Sequence, residues 1–105
     1  MDNLEEIVMG IIINAGQCRS LCYEALAKAK AGDFDGAQDL MSQASEAANE
    51  AHLVQTQLIE QDQGEGKTQM TLVLVHAQDH LMTSMLAKEL ITEMIDMHRR
   101  LADAS

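Results

Sequence analysis

The sequence predicts an all-α fold, an antiparallel three-helix bundle that associates with copies of itself. The 105-residue chain contains no proline, and its apolar residues recur at steps of three and four, which is the helical period. Alanine, leucine, glutamate, glutamine, lysine and methionine dominate, as is typical of long helices. A chain of this length forms one hydrophobic core, so residues 1–105 are expected to be a single domain.

The first helix is predicted over about residues 3–31 from this period. Gly32 is expected to end it, because glycine readily adopts the left-handed conformation that follows a helix. Asp33 should then cap the next helix. Gly10 and Gly16 lie inside the first helix, where each costs about 1 kcal/mol relative to alanine. We therefore expect the backbone of another helix to approach closely at both.

The second helix is predicted over about residues 34–62, and its alanine-rich face is expected to form a seam with another helix. The segment Gln63-Gly64-Glu65-Gly66 should reverse the chain, since two glycines within three residues favour a turn. The third helix is predicted over about residues 68–102.

The third helix differs from the others because it is apolar on several sides. Leu72-Val73-Leu74-Val75 is apolar all round, and two stripes of apolar residues continue beyond it. Two partner helices cover only part of that circumference. The remaining apolar surface is expected to pack against other subunits.

Composition and charge exclude some classes of function. The net charge of −10 argues against nucleic-acid binding, which depends on clusters of lysine and arginine. No apolar run approaches the roughly 20 residues that cross a bilayer, and the N-terminal segment Met1-Asp2-Asn3-Leu4-Glu5-Glu6 lacks the basic start of a signal peptide. We expect a cytoplasmic protein without direct membrane insertion.

Cys18 and Cys22 lie four residues apart on the first predicted helix and face the same way. The sequence offers no second cysteine or histidine pair at the spacing of a zinc site. Both are interpreted as reduced thiols of the core, and His52 as a bundle or interface residue.

The segment from His76 to His80 places ionisable side chains inside the apolar third helix. Asp79 takes a position in the coiled-coil seam Leu72, Val75, Asp79, Met82, Leu86 that should be apolar. In a symmetric trimer three Asp79 carboxylates would repel one another unless protons or a hard divalent ion such as Mg²⁺ lay between them. A partly protonated aspartate that sets the helix register remains an open alternative.

His76 and His80 lie one turn apart and share a helix face. Three roles are compatible with this spacing: structural histidines, a metal site with two ligands per chain, and nucleophilic catalysis in which an imidazole carries a phosphoryl group. His80 and Gln78 are candidate donors to phosphoryl oxygens. Gln78 is about 200° around the helix from His76, so it can assist only a neighbouring subunit's histidine.

Several motifs together resemble the lactose/cellobiose-type enzyme IIA of the bacterial phosphoenolpyruvate-dependent sugar phosphotransferase system. The similarity covers Leu4 to Leu101, and among members of the family the chain is most similar to the N,N′-diacetylchitobiose type. The motifs are His76-Ala77-Gln78-Asp79-His80-Leu81-Met82-Thr83, Val8-Met9-Gly10, Asn14-Ala15-Gly16, Gly32-Asp33-Phe34 and Ala51-His52-Leu53-Val54-Gln55-Thr56.

The resemblance implies a homotrimer of three-helix subunits, a phosphohistidine at His76 and one divalent metal ion, Mg²⁺ for preference, shared by the three Asp79 residues. It also implies a phosphoryl donor, the phosphocarrier protein HPr, and an acceptor, a cysteine of the cognate IIB protein. The system would import and phosphorylate a disaccharide, diacetylchitobiose or a cellobiose-like sugar, through the membrane permease IIC.

Two other classes of function remain as alternatives. A two-component histidine phosphotransfer domain is also a helical bundle, but such domains carry His-x-x-Lys-Gly where this chain has Asp79-His80. A non-catalytic metal-binding bundle would use the same histidines and aspartate without any phosphoryl donor. A phosphotransfer assay separates these two from the carrier.

Overall fold

The computed structural model describes residues 3–105 as three long helices. Met1 and Asp2, at the beginning of the segment that lacks the basic start of a signal peptide, lie outside the described residues. The helices are α1 (Asn3–Lys30), α2 (Phe34–Asp62) and α3 (Leu72–Asp103), and the described residues contain no strand. The bundle measures 56 × 25 × 19 Å. The predicted all-α fold is confirmed.

Two buried clusters show how the helices run. One cluster joins the second half of α1 to the first half of α2 and to Ile91 and Ile95 of α3. The other joins the first half of α1 to the second half of α2 and to the first half of α3. Therefore α2 is antiparallel to both α1 and α3, as predicted. α2 and α3 contact each other least, so α1 is the main packing partner of both α2 and α3.

The connection between α1 and α2 is the predicted one. Gly32 has a φ of 85°, the left-handed conformation that glycine adopts at little cost. Asp33 caps α2, and its carboxylate accepts the backbone N–H of Gly36 at 2.9 Å. This short turn holds α2 beside α1 with no need for a longer loop.

The start of α3 corrects the prediction, because the helix begins at Leu72 and not near residue 68. The Asp62 carboxylate accepts the backbone N–H of Thr68 at 2.8 Å and that of Gly66 at 3.2 Å. These bonds fold the chain after α2 into a loop. Thr71 then caps α3, since its hydroxyl accepts the N–H of Leu74 at 3.1 Å.

The two glycines of α1 differ from the expectation that a helix backbone approaches both. No atom outside the helix backbone lies within 4 Å of the position that a Cβ would take at Gly10, so the prediction there is wrong. The Gly10 carbonyl accepts the side-chain amide of Asn14 at 3.0 Å. At Gly16 the close neighbour is a side chain, because Nε2 of His80 lies 3.4 Å from the Cβ position.

Cys18 and Cys22 are free thiols, and both are buried in the core, which confirms the interpretation of the sequence. A hydrogen bond from the Cys22 thiol lowers the pKa of Cys18 to about 7, and the same bond raises the pKa of Cys22. Burial raises the pKa of both thiols, while the positive charge of Lys88 lowers both. Reactivity requires access as well as a thiolate, so these groups act as packing residues.

Candidate functional site

His76 lies in the second turn of α3, and its side chain is exposed. Neither ring nitrogen of His76 makes a hydrogen bond within residues 3–105. The ring stacks on that of His80, with the centroids 5.9 Å apart and the planes 2° from parallel. This arrangement follows from the four-residue spacing, which puts both side chains on one face of the helix. The two histidines are therefore brought together as predicted.

His80 is half-buried, and its ring packs against α1. Its Nε2 atom lies 3.4 Å from the position that a Cβ atom would take at Gly16, so a methyl group there would be in van der Waals contact with the ring. On the following turn, the Thr83 hydroxyl donates to the carbonyl oxygens of Asp79 and His80, at 2.9 and 3.2 Å. The His80 ring thus lies close to both Gly16 of α1 and the His76 ring.

Gln78 faces α2, away from the two histidines. The Nε2 atom of Gln55, on α2, donates to Oε1 of Gln78 and also contacts the sulfur of Met82 at 3.8 Å. Because His80 contacts α1 and Gln78 contacts α2, one chain does not bring Gln78 to His76. This agrees with the predicted offset of about 200° between the two residues.

Gln55, which is only 8% exposed, has no role in the site predicted from the sequence. A signal for it exists in the sequence. The buried residues of α2 recur at three- and four-residue steps, and a glutamine stands where this pattern calls for an apolar side chain. The members of this row are Ala44, Ala48, Ala51, Gln55 and Leu58.

Asp79 lies on an exposed apolar face of α3, which we call the α3 stripe. Its carboxylate makes no hydrogen bond or ion pair within residues 3–105. The predicted seam is exposed throughout, and the stripe continues to the end of the helix. It consists of Leu72, Val75, Met82, Leu86, Leu90, Met94, Met97 and Leu101, with Asp79 between Val75 and Met82.

The chain alone supplies few metal ligands. Among residues 3–105, no three histidine, cysteine, aspartate or glutamate side chains are grouped so as to hold a metal ion. Asp79 offers one carboxylate per chain, so a site built on it needs several copies. His52 is exposed on α2. None of the helices in the described part of the chain is long and apolar enough to cross a membrane.

Comparison with known proteins assigns the chain to a family. The sequence model of the family described as PTS system, Lactose/Cellobiose specific IIA subunit matches residues 6–99, which include every residue of the site. The chain belongs to this family. The resemblance read from the sequence motifs is confirmed, and this IIA chain is a component of a sugar phosphotransferase system.

Individual members of the IIA family are similar over nearly their whole length. The N,N′-diacetylchitobiose-specific EIIA component of Escherichia coli K12 is 66% identical over 100 residues, which cover 95% of this chain and 86% of the relative. The solution structure of the E. coli IIA(Chitobiose)–HPr complex has a TM-score of 0.84 at 64% identity, covering 97% of this chain and 99% of that chain.

A second solved IIA structure shows the same fold at lower sequence identity. The crystal structure of the cellobiose-specific enzyme IIA from Bacillus anthracis has a TM-score of 0.94 at 42% identity. The match covers 100% of this chain and 96% of that chain. The three-helix architecture is therefore that of the IIA family.

Proposed function

We propose that this chain is a phosphoryl carrier that accepts a phosphoryl group on His76 and passes it to a thiolate of a partner protein. The observation that carries the proposal is the exposed His76 imidazole, whose ring nitrogens are unengaged within residues 3–105, on a rigid helix in the family motif. A nucleophile of this kind needs an accessible nitrogen and a fixed position.

The transfer is an exchange of bonds at phosphorus. A lone pair of a His76 ring nitrogen attacks the phosphorus of the donor's phosphohistidine in line, so one N–P bond forms as the donor's N–P bond breaks. In the second step a cysteine thiolate of the acceptor attacks, an S–P bond forms and the His76 N–P bond breaks. Such reactions depend on positioning and on stabilising the phosphoryl oxygens more than on acid–base chemistry. His80 and, from a neighbouring subunit, Gln78 are the proposed donors to those oxygens.

We propose HPr as the donor and a cysteine of the cognate IIB protein as the acceptor. The related E. coli IIA(Chitobiose) has been solved in complex with HPr, and the relatives include diacetylchitobiose-, cellobiose- and lactose-specific components. The imported sugar would be a disaccharide such as diacetylchitobiose, carried by the membrane permease IIC. The single domain would act at the cytoplasmic side of the membrane, where these proteins meet.

The proposal includes a homotrimer with Asp79 at its axis. The α3 stripe is an apolar face, interrupted by Asp79, that one chain leaves in solvent, and Leu72 at its start is 86% exposed. Burying such a face drives association. Three Asp79 carboxylates meeting at the axis fit a hard divalent ion such as Mg²⁺, because their oxygens are the ligands that it prefers. The ion would offset the repulsion between the carboxylates.

The test is phosphorylation by the general proteins of the system. Incubation with phosphoenolpyruvate, enzyme I and HPr is expected to add one phosphoryl group per chain, measured by intact mass spectrometry. The label should be lost in acid and survive base, as expected of a nitrogen–phosphorus bond. His76→Gln should abolish it, and the control His52→Gln should leave it unchanged, because His52 lies exposed on α2.

Two results would overturn the assignment. The first is no label on the wild-type chain under conditions in which HPr itself is phosphorylated. The second is a label that persists in His76→Gln. A His80→Gln variant adds detail: it should still be labelled, but more slowly, because His80 is a proposed donor and not the nucleophile.

A further inference from the structure

Gln55 is one of two polar residues buried within residues 3–105, the other being Ser84. It interrupts the apolar row of α2, where an alanine or leucine would serve the packing. Burying an amide costs free energy unless the group is hydrogen-bonded. A buried glutamine in the core of a small bundle therefore calls for an explanation in terms of its partner.

That partner is Gln78, on the side of α3 that faces α2. A glutamine side chain has an acceptor, Oε1, and a donor, the Nε2 amide group. Because Gln55 donates to Oε1 of Gln78, the two N–H bonds of Gln78 point away from Gln55. Gln78 is only half-buried, and its Nε2 atom, which has no hydrogen-bond partner within residues 3–105, is not a buried atom. Its N–H groups are therefore accessible from outside the chain. The contact thus decides which end of the Gln78 amide a neighbouring molecule meets.

We propose that Gln55 is a positioning residue for phosphoryl transfer: it orients the Gln78 amide so that its N–H groups face the phosphoryl oxygens on His76 of a neighbouring subunit. This inference rests on the proposed function and its trimer, since Gln78 cannot reach its own chain's His76. Gln55 touches no reacting atom in this arrangement. Its contribution passes entirely through Gln78.

Replacing Gln55 by glutamate changes the hydrogen bonds that the side chain can form but keeps its size and shape. Gln55→Glu keeps the size of the side chain, but at pH 8, well above the usual glutamate pKa of about 4.3, a carboxylate only accepts hydrogen bonds. Gln78 would then turn its N–H groups toward Glu at position 55 and present Oε1 outward. An outward Oε1 repels phosphoryl oxygens. Gln57→Glu is the matched control, because it adds the same charge to an exposed position two residues away.

The expected result is a rate constant for transfer from phospho-HPr that falls at least tenfold in Gln55→Glu and changes less than twofold in Gln57→Glu. The affinity for unphosphorylated HPr should be the same in both. This combination distinguishes positioning from a structural defect, which would alter binding and assembly as well.

A double-mutant cycle tests whether Gln55 acts through Gln78. Gln78→Leu and Gln55→Met should each slow transfer, and Gln55→Met should slow it no further in the Gln78→Leu background. Methionine fills the volume of glutamine without a polar group, so this cycle also replaces the glutamate test if Gln55→Glu fails to assemble by sedimentation.

Three outcomes would overturn the inference: Gln55→Glu transfers like the wild type, Gln78→Leu transfers like the wild type, or the loss in Gln55→Met persists in full in the Gln78→Leu background. If the wild-type chain is not phosphorylated, the proposed function fails. If the wild-type chain is fully labelled and replacing Gln55 does not change the rate of transfer, only the inference about Gln55 fails.

Discussion

Gly16 of α1 lies beside the His80 ring of the candidate site. The His80 ring lies against α1 at this glycine, with Nε2 3.4 Å from the position of a Cβ atom. Two opposing effects meet here. Alanine at position 16 would favour the helix by about 1 kcal/mol, but its methyl group would contact the ring nitrogen and limit how the ring can turn.

Gly16→Ala is therefore expected to raise the free energy of unfolding by up to about 1 kcal/mol while slowing phosphoryl transfer several-fold. Gly10→Ala should give a similar stabilisation with transfer unchanged, because nothing lies within 4 Å of the Cβ position at Gly10. Urea unfolding and the rate of labelling by phospho-HPr check the two effects. If both variants transfer equally fast, the contact of Gly16 with His80 has no part in the chemistry.

At the scale of the elements, Asp62 holds the loop between α2 and α3. Its carboxylate accepts two backbone N–H groups, and the bond from Thr68 is the main cause of a lowered pKa of Asp62, with that from Gly66 and the charge of Lys67 adding to it. A carboxylate whose pKa is lower in the folded chain stabilises the fold above its usual value of about 3.9. That contribution is lost as the pH falls through the lower, folded value.

Asp62→Ala is expected to free the backbone N–H groups of Gly66 and Thr68, so their hydrogen exchange at pH 7 should become faster while core amides of α1 exchange as before. In the wild type the NMR signals of these two amides should stay constant from pH 7 to about 4 and move only at lower pH. Glu60→Ala, an exposed acid on the same helix, should change neither observable. Unaltered exchange in Asp62→Ala would show that the loop holds without the carboxylate.

The sequence predicts the helices well because their signal is local. The three- and four-residue period locates all three helices. Gly32 and Asp33 identify the first turn, because helix termination and capping depend on residues that are close in the sequence. The observed start of α3 lies four residues after the predicted one, since it depends on a bond from the Thr68 N–H to the Asp62 carboxylate, six positions apart in the sequence. Such a contact has no periodic signature.

The same distinction applies to the site. The stacking of His76 on His80 follows from their spacing on one helix, and so does the opposite direction of Gln78. The contact of Gln55 with Gln78, and that of Gly16 with His80, depend on how the helices are set against one another. That register depends on the packing of the whole core, so no single segment of the sequence predicts it.

At the scale of the whole molecule, the α3 stripe predicts assembly. Its eight apolar residues run from Leu72 to Leu101, along the whole of α3. Monomeric proteins rarely expose continuous apolar surfaces of such length. Sedimentation equilibrium is expected to give three times the 11.5 kDa mass of the chain, and a monomer at micromolar concentration would contradict the trimer.

Asp79 allows a separate prediction about the metal ion. EDTA should lower the melting temperature of the wild-type trimer, because the ion offsets repulsion between three carboxylates. Asp79→Leu should remain trimeric, ignore EDTA and still accept phosphoryl groups, since exchanging buried charges for packed hydrocarbon is often neutral or stabilising by roughly 1–4 kcal/mol.

The control for this experiment is Glu46→Leu, which removes an exposed acid from α2 and should keep the sensitivity to EDTA. A wild type that melts at the same temperature with and without chelator would remove the metal from the proposal. If Asp79→Leu assembles but cannot be phosphorylated, Asp79 takes part in the chemistry and not only in assembly.

The position at which α3 begins, Leu72, has an electrostatic consequence for the phosphorylated state. Aligned peptide dipoles give the N-terminal end of a helix a partial positive charge, and side chains lean toward that end. The first turn of α3 contains no acidic residue, whereas those of α1 and α2 do. A phosphoryl group on His76, in the second turn, would therefore bring the negative charge that this helix end lacks. If α3 began near residue 68, His76 would lie a full turn farther from the N-terminal end of the helix.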